Sequence, residues 1–258
     1  MIRYSTEEGF IKPHGIKFRS GQDSNIVLPE VAIGVFSRHL FEDTVKEFNC
    51  QEVGYLSCAN FEKNVYILKY NGTKITFFMA GVGSPLLAGN IEELAHQGVK
   101  KFIIFGNCGV LDNNIPDCSI IIPTKGFRDE GTSYHYVEPS DTIDINPKYQ
   151  EEFIRILKEN SYDYTKGYTW TTDAFYRETR EKIKYFKEHG AICVEMEGTA
   201  IAAICKRLSL DYFTFYYAGD SLDSDEWDER SLSGLANFEK KQKIKTLALE
   251  LAHKISNK

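Results

Sequence analysis

Residues Ala191–Arg207 read AICVEMEGTAIAAICKR, a run that joins a strand, a turn and a helix and sets two carboxylates among apolar side chains. Ile192–Met196 has the length and β-branched content of a short buried strand, and Gly198–Cys205 the small, aliphatic composition of a buried helix. Glu195 and Glu197 stand where the one hands over to the other. An unpaired ionised carboxylate is costly to bury or has its pKa forced upward, so each needs a partner. Two readings stay open: the pair caps the helix or meets a core arginine, or one of them faces a cavity and accepts hydrogen bonds from a polyol. Two adjacent hydroxyls can share two carboxylate oxygens by the bidentate logic that pairs arginine with carboxylate.

The same strand-then-helix unit recurs outward in both directions. Upstream, Val31–Phe36 predicts a buried strand, and Arg38–Phe48 a helix through Leu40, Phe41, Val45 and Phe48. Asn64–Tyr70 and Lys74–Ala80 form a hairpin about Asn71-Gly72. Met79–Pro85, MAGVGSP, opens a helix that runs to Gly98, with Ser84 at the N-cap and Pro85 at the first helical position. Lys101–Phe105 is a strand followed by a turn at Gly106-Asn107-Cys108-Gly109, and Ile120–Pro123 another strand. Phe127–Tyr136 lacks periodicity and reads as a functional or packed loop.

Downstream of that loop, Pro147–Asn160 is a helix, Tyr164–Thr172 a strand, and Thr172–Tyr176 leads into a helix ending at Gly190. Asp211–Ala218 is a strand closed by Gly219-Asp220 and an acidic loop to Glu229, and Lys240–Ile255 an amphipathic helix. This alternation predicts an α/β protein with a mixed, largely parallel sheet covered by helices on both faces. A single domain over residues 1–258 suffices, with residues 1–30 as an irregular arm.

Composition narrows the function classes. The net charge of -6, with no basic cluster, argues against nucleic acid. The six cysteines include no CxxC pair and lie mostly in apolar surroundings, which predicts reduced thiols and a cytoplasmic protein. The opening MIRYSTEEGFIKPHG has no apolar core, and no apolar run approaches the roughly 18 residues of a span, so neither signal peptide nor membrane partner is expected. The six histidines show no paired ligand spacing, so no metal site is expected. The glycine-rich turn before Ser84 is a natural anion seat, because free N–H groups and the helix dipole point the same way. A tight turn that binds nothing fits the same residues, and neither GxxxxGK[ST] nor GxGxxG is present.

Six segments in order, MAGVGSP, GNCG, RDEGTSYHY, TTDAFYRET, VEMEG and the strand-end AGD, resemble the nucleoside phosphorylases and nucleosidases of the uridine phosphorylase and hexameric purine nucleoside phosphorylase type. The resemblance implies a three-layer α/β/α sandwich of the phosphorylase/hydrolase-like kind, consistent with the pattern above. It implies that Glu197 holds the ribose 2′- and 3′-hydroxyls, Met196 lies against the sugar, and Phe175 packs on the base. Asp220 stands where purine-specific members carry the acid that protonates the base at N7. His14, after Pro13, resembles the N-terminal histidine that reaches a neighbouring subunit's ribose, which implies a homo-oligomer between dimer and hexamer. Inorganic phosphate is the implied co-substrate, with no cofactor.

The departures lie around that phosphate. Where phosphorylases carry an arginine before the GSCG-type turn this chain has Ile104, and the turn's serine or threonine is Asn107. Gly81, Gly83 and Ser84 are left to hold the anion, with Asn107, Arg38 and Arg128 as further candidates. A gapless alignment to the nucleosidases instead puts Glu42 on their water-activating glutamate, so hydrolysis is a second reading of the same site. A nucleoside-binding module without a phosphate site is a third, prompted by Ile104. The glutamine and arginine that read uracil are not reproduced in Phe175–Arg180; Asp220 leans toward a purine.

Overall fold

The computed structural model describes residues 4–22, 25–232 and 235–256. Its strands and helices follow the order β1 (Val31–Val35), α1 (Arg38–Glu47), β2 (Gln51–Cys58), β3 (Phe61–Tyr70), β4 (Thr73–Met79), α2 (Ser84–His96), β5 (Lys101–Val110) and β6 (Ile120–Asp129). Then come α3 (Ser133–Tyr136), β7 (Thr142–Asp144), α4 (Gln150–Glu159), β8 (Tyr164–Thr172), α5 (Arg180–Glu188), β9 (Ala191–Glu195), α6 (Gly198–Leu208), β10 (Asp211–Ser221) and α7 (Phe238–Ser256). A short 3-10 turn, Phe175–Arg177, precedes α5.

Strand period two divides the apolar residues between two cores. On β1, Val31, Ile33 and Val35 face the core shared with α1, α4 and α7, while Ala32 joins the core beneath α2 and α6. On β5, Ile103 and Phe105 take the first side, Phe102 and Ile104 the second. A sheet buried on both faces with helices on each is the three-layer α/β arrangement expected from the alternation of elements.

The strands run β2-β3-β4-β1-β5-β9-β8-β6-β10, with β7 on β6. The order does not end at β10, which also pairs with β5, so β5, β9, β8, β6 and β10 close into a ring. Parallel β10–β5 pairing extends from Asp211↔Lys101 to Ser221↔Val110, whereas the antiparallel seams that close the ring are short, Tyr216↔Ile121 with Tyr217↔Ile120, and Gly109↔Val194 with Val110↔Cys193. Strands β1, β4, β3 and β2 continue outward from β5 as an open sheet.

Several local expectations change. Gly106–Gly109 is not a turn; it lies inside β5. Its glycines answer close packing: a Cβ on Gly106 would stand 2.7 Å from the Phe36 ring, and one on Gly109 2.5 Å from Leu222. The stretch after Phe127 is not all loop, since β6 continues to Asp129 and α3 covers Ser133–Tyr136. Strand β2 was not expected; it pairs with β3 across a register shift between Glu52 and Gly54. At the head of α2, Gly83 takes the cap position with a φ of 94°, and Ser84 is the first helical residue. Of the arm, described residues up to Glu30 contain only the isolated bridge Lys17↔Tyr55.

Candidate active site

A cavity of about 720 Å³ opens where the ring meets the loops before α5 and after β10. That size suits a drug-sized ligand. Glu197, Met196, Phe175, Asp220 and Asn107 all line it.

The two glutamates of the strand–helix junction have separate jobs. Glu195 ends β9 and is fully occupied: Thr169 Oγ1 and Thr171 Oγ1 donate to its Oε1 at 3.0 and 2.6 Å, and the amides of Glu197 and Gly198 donate to its Oε2 at 2.8 and 2.6 Å. Burial raises its carboxyl above the usual carboxylate range, and these donors oppose that. Glu195 is therefore the cap that ties the start of α6 to β8. Glu197 is turned to the cavity and accepts the Gly83 amide at 2.5 Å. Burial, and the charge of Glu195 beside it, push Glu197 up to about 8.

Asp220 approaches from the opposite strand. The β10–β5 register shifts between Ala218 and Asp220, leaving Gly219 as a bulge. Bulges re-aim the following side chain, and Asp220 is directed into the cavity with 8% of its surface exposed. Trp227 Nε1 donates to Asp220 Oδ2 at 2.8 Å. Burial raises Asp220 above the ordinary aspartate range, against the Trp227 hydrogen bond and the charge of Arg230. Phe175 stands half-exposed on its short turn, its ring 4.2 Å from that of Tyr176, as an aromatic part of the cavity wall.

A family model described as the phosphorylase superfamily matches residues 31–255. The chain belongs to the phosphorylase superfamily. It is 29% identical over 157 residues to a guanosine phosphorylase of Halorubrum lacusprofundi, covering 60% of this chain and 64% of that protein. It is 28% identical over 149 residues to a DeoD-type purine nucleoside phosphorylase of Shewanella oneidensis, across 63% of that protein. A uridine phosphorylase of Haemophilus influenzae is 25% identical over 154 residues, across 61% of its length. These matches thus span a little under two thirds of each relative. The fold matches a crystal structure of purine nucleoside phosphorylase from Toxoplasma gondii in complex with immucillin-H, with a TM-score of 0.78 at 18% identity over 97% of this chain and 99% of that one.

The glycine-rich turn at the head of α2 is satisfied by groups of this chain. Besides the Gly83–Glu197 bond, the Gly81 amide donates to Asn90 Oδ1 at 3.1 Å, and Ser84 Oγ donates to the Met196 carbonyl at 2.7 Å. Gly81, Gly83 and Ser84 lie behind the cavity wall rather than in it, although their neighbour Val82 lines it. Ile104 is buried in the core beneath α2 and α6 and brings no charge to the site.

The cationic candidates are not in the wall. Arg38 Nε donates to Glu42 Oε1 at 2.8 Å on the exposed start of α1, so the candidate phosphate ligand and the candidate water-activating base hold each other. That bond keeps the Glu42 carboxyl below its ordinary range, the wrong direction for a base. Arg128 is buried: its Nε donates to Ser133 Oγ at 2.8 Å, its Nη1 to the Glu138 carbonyl at 2.8 Å and to Ser140 Oγ at 2.9 Å, it stacks 3.9 Å above the Tyr134 ring, and its buried Nη2 has no partner among the described residues. It pins the segment after β6, which is why it does not reach the cavity. His14 is exposed beside α2, its amide donating to Glu93 Oε2 at 2.8 Å, and it does not touch its own chain's cavity.

Trp227, Glu178 and Arg180 are among the wall residues that sequence did not assign to the site. Trp227 sits in the acidic loop after β10, DSDEWDER, and Glu178 in the segment TTDAFYRET, whose resemblance assigns a role to Phe175 alone. A large aromatic inside an acidic loop beside a candidate acid was the available signal for Trp227. Among the described residues no cluster of histidine, cysteine or acidic groups is arranged to hold a metal ion.

Proposed function

We propose that this chain is a nucleoside phosphorylase that cleaves the N-glycosidic bond of a purine ribonucleoside with inorganic phosphate, giving free base and ribose 1-phosphate. The observation that carries the reading is the convergence of Glu197, Phe175 and Asp220 on one cavity. Ribose hydroxyls donate to Glu197, the base packs against Phe175, and the glycosidic bond lies between.

As the bond from C1′ to the base loosens, the sugar gains oxocarbenium character and the base gains an electron pair. Asp220, whose buried carboxyl is held toward its protonated form, gives its proton to N7. A phosphate oxygen attacks C1′ from the opposite face, and the anion's charge stabilises the sugar cation. The phosphate sits at the amide-rich head of α2, taking the Gly83 amide that Glu197 holds in its absence, with Arg38 turning from Glu42 toward it. No cofactor is required.

The reading extends to a cytoplasmic homo-oligomer in which His14 serves a neighbouring subunit's ribose. All six cysteines are free thiols, which supports a reducing compartment, and no described helix is long and apolar enough to cross a membrane. The exposed arm around His14 supports action in trans.

The test is product analysis of a nucleoside panel incubated with and without phosphate. Ribose 1-phosphate formed only with phosphate is the expected result. Free ribose in either buffer would assign hydrolysis instead, and binding without turnover would make the chain a nucleoside-binding module.

A further inference from the structure

The loop of residues 222–230 brings an aromatic side chain to the acid of the cavity. Backbone closes its neck: the Ser221 amide donates to the Asp228 carbonyl at 2.8 Å, and the Asp228 amide to the Ser221 carbonyl at 3.1 Å. Trp227, the residue before that bridge, is thereby placed by the fold, with 59% of its surface exposed and its Nε1 donating to Asp220 Oδ2 at 2.8 Å. Asp220 Oδ1 has other surroundings. It stands 3.3 Å from the place that a Cβ on Gly109 would take, and Gly109, the register partner of Asp220 on β5, lines the cavity. One oxygen is thus bound to an indole, and the other lies over a bare glycine in the cavity wall. Arg230, the cation of this loop, is committed to structure, its Nη1 donating to the Ile115 carbonyl at 2.9 Å and its Nη2 to Asn113 Oδ1 at 3.2 Å.

We propose that Trp227 is a positioning residue of the reaction: its indole N–H keeps the Asp220 proton on Oδ1, toward the base, and steadies the charge that transfer leaves behind. This rests on the assignment of Asp220 as the acid. An indole N–H donates and cannot accept. The carbonyl oxygen of a carboxylic acid is a better acceptor than its hydroxyl oxygen, so the oxygen bound to Trp227 is the carbonyl and the proton belongs to the other. In the transfer step the Oδ1–H bond breaks and the proton goes to N7. The electron pair of the bond from C1′ to the base passes into the purine, and Asp220 is left as a carboxylate. The Trp227 hydrogen bond then has a charged acceptor and strengthens. An interaction stronger after the transfer than before it lowers the barrier without tightening the ground state. A guanidinium in the same place would hold Asp220 ionised and abolish its acid role; a neutral donor does not.

Trp227→Phe keeps an aromatic ring and removes the donor. On the full chain, kcat and KM are measured for phosphorolysis of inosine and of 7-methylinosine, whose N7 already carries a methyl group and needs no proton. Inosine should lose about tenfold in kcat with KM nearly unchanged. The 7-methyl riboside should lose nothing, which also shows that the variant folds. An equal loss for both ribosides, or a loss confined to KM, overturns the proposal. The place of the proton is read separately by infrared difference spectroscopy at a pH that holds Asp220 protonated, its C=O stretch assigned through Asp220→Asn. Loss of the indole donor should move that band to higher wavenumber. An unmoved band means that the hydroxyl oxygen faced Trp227, and overturns the proposal. If the native chain turns over no nucleoside with phosphate, phosphorolysis fails, and the band alone still upholds or overturns the placement of the proton.

Discussion

Glu197 Oε1 accepts the Gly83 amide at 2.5 Å across 114 positions of sequence, so the residue assigned to the sugar occupies the donor assigned to the phosphate. Each ligand must therefore rearrange the same bond. Phosphate arriving at Gly83 frees Glu197 for the ribose diol, and a riboside that draws Glu197 away frees Gly83 for phosphate. Calorimetric titration of a non-cleavable riboside with and without phosphate should show mutual tightening of about tenfold. A 2′,3′-dideoxy analogue should show none, and independent binding of riboside and phosphate would contradict the shared bond.

The same carboxyl makes stability depend on pH. Glu197 ionises at about 8 in the folded chain and near the ordinary 4.5 when unfolded. Between those values the unfolded chain has released a proton that the folded chain keeps, so this contribution to stability is full below pH 4.5 and is lost as pH rises through 8. Glu197→Gln cannot ionise. Its melting temperature should gain on the native chain as pH rises from 5 to 9, at about 2–4 °C per kcal/mol. A difference that stays flat with pH would show that burial does not hold this group protonated.

Asp220→Asn removes the proton donor but keeps the bulge and the Trp227 contact. Turnover of purine ribosides should fall by about 10²–10⁴-fold with affinity nearly unchanged. Trp227→Phe is the subtler variant. The indole N–H favours the ionised Asp220, so its loss raises the carboxyl further and moves the alkaline limb of the kcat/KM profile to higher pH. If instead an acidic limb moves to higher pH, Asp220 works as an anion.

Arg38 and Glu42 discriminate phosphorolysis from hydrolysis. Glu42→Gln releases Arg38 from its partner, and phosphorolysis should proceed with an unchanged or lower KM for phosphate. Arg38→Met should raise that KM several-fold without altering riboside binding. Loss of all turnover in Glu42→Gln would instead give Glu42 the role of activating water.

The junction between β9 and α6 was legible because two charges in an apolar run need an explanation, and the Asn71-Gly72 hairpin because few other dipeptides accept that turn. The closing seams of the ring were not, since each is only two residue pairs long and leaves no periodic signature. Strand β2 was hidden by its irregularity: Gly54 and the register shift interrupt the alternation of QEVGYLSC. At the site, Glu197, Phe175 and Asp220 were readable through the resemblance, and the cavity gathers them. Sequence could not distinguish Arg128 on a loop from Arg128 clamped by Ser133 and Ser140, nor Glu178 in a cavity from Glu178 in water, because both distinctions depend on three-dimensional neighbours.

The closed ring separates what the molecule must keep from what it can vary. Asn107, Val194, Glu195 and Asp220 all belong to strands of the ring, so the spacing between the sugar end and the base end is set by a hydrogen-bonded frame with no free edge at that point. Phe175, Glu178 and Trp227 hang on the connections that follow β8 and β10. A change of base preference can then arise by replacing a connection while the frame stays untouched. In such a molecule the strands hold the distance across the cavity, and the connections carry the side chains that shape its mouth.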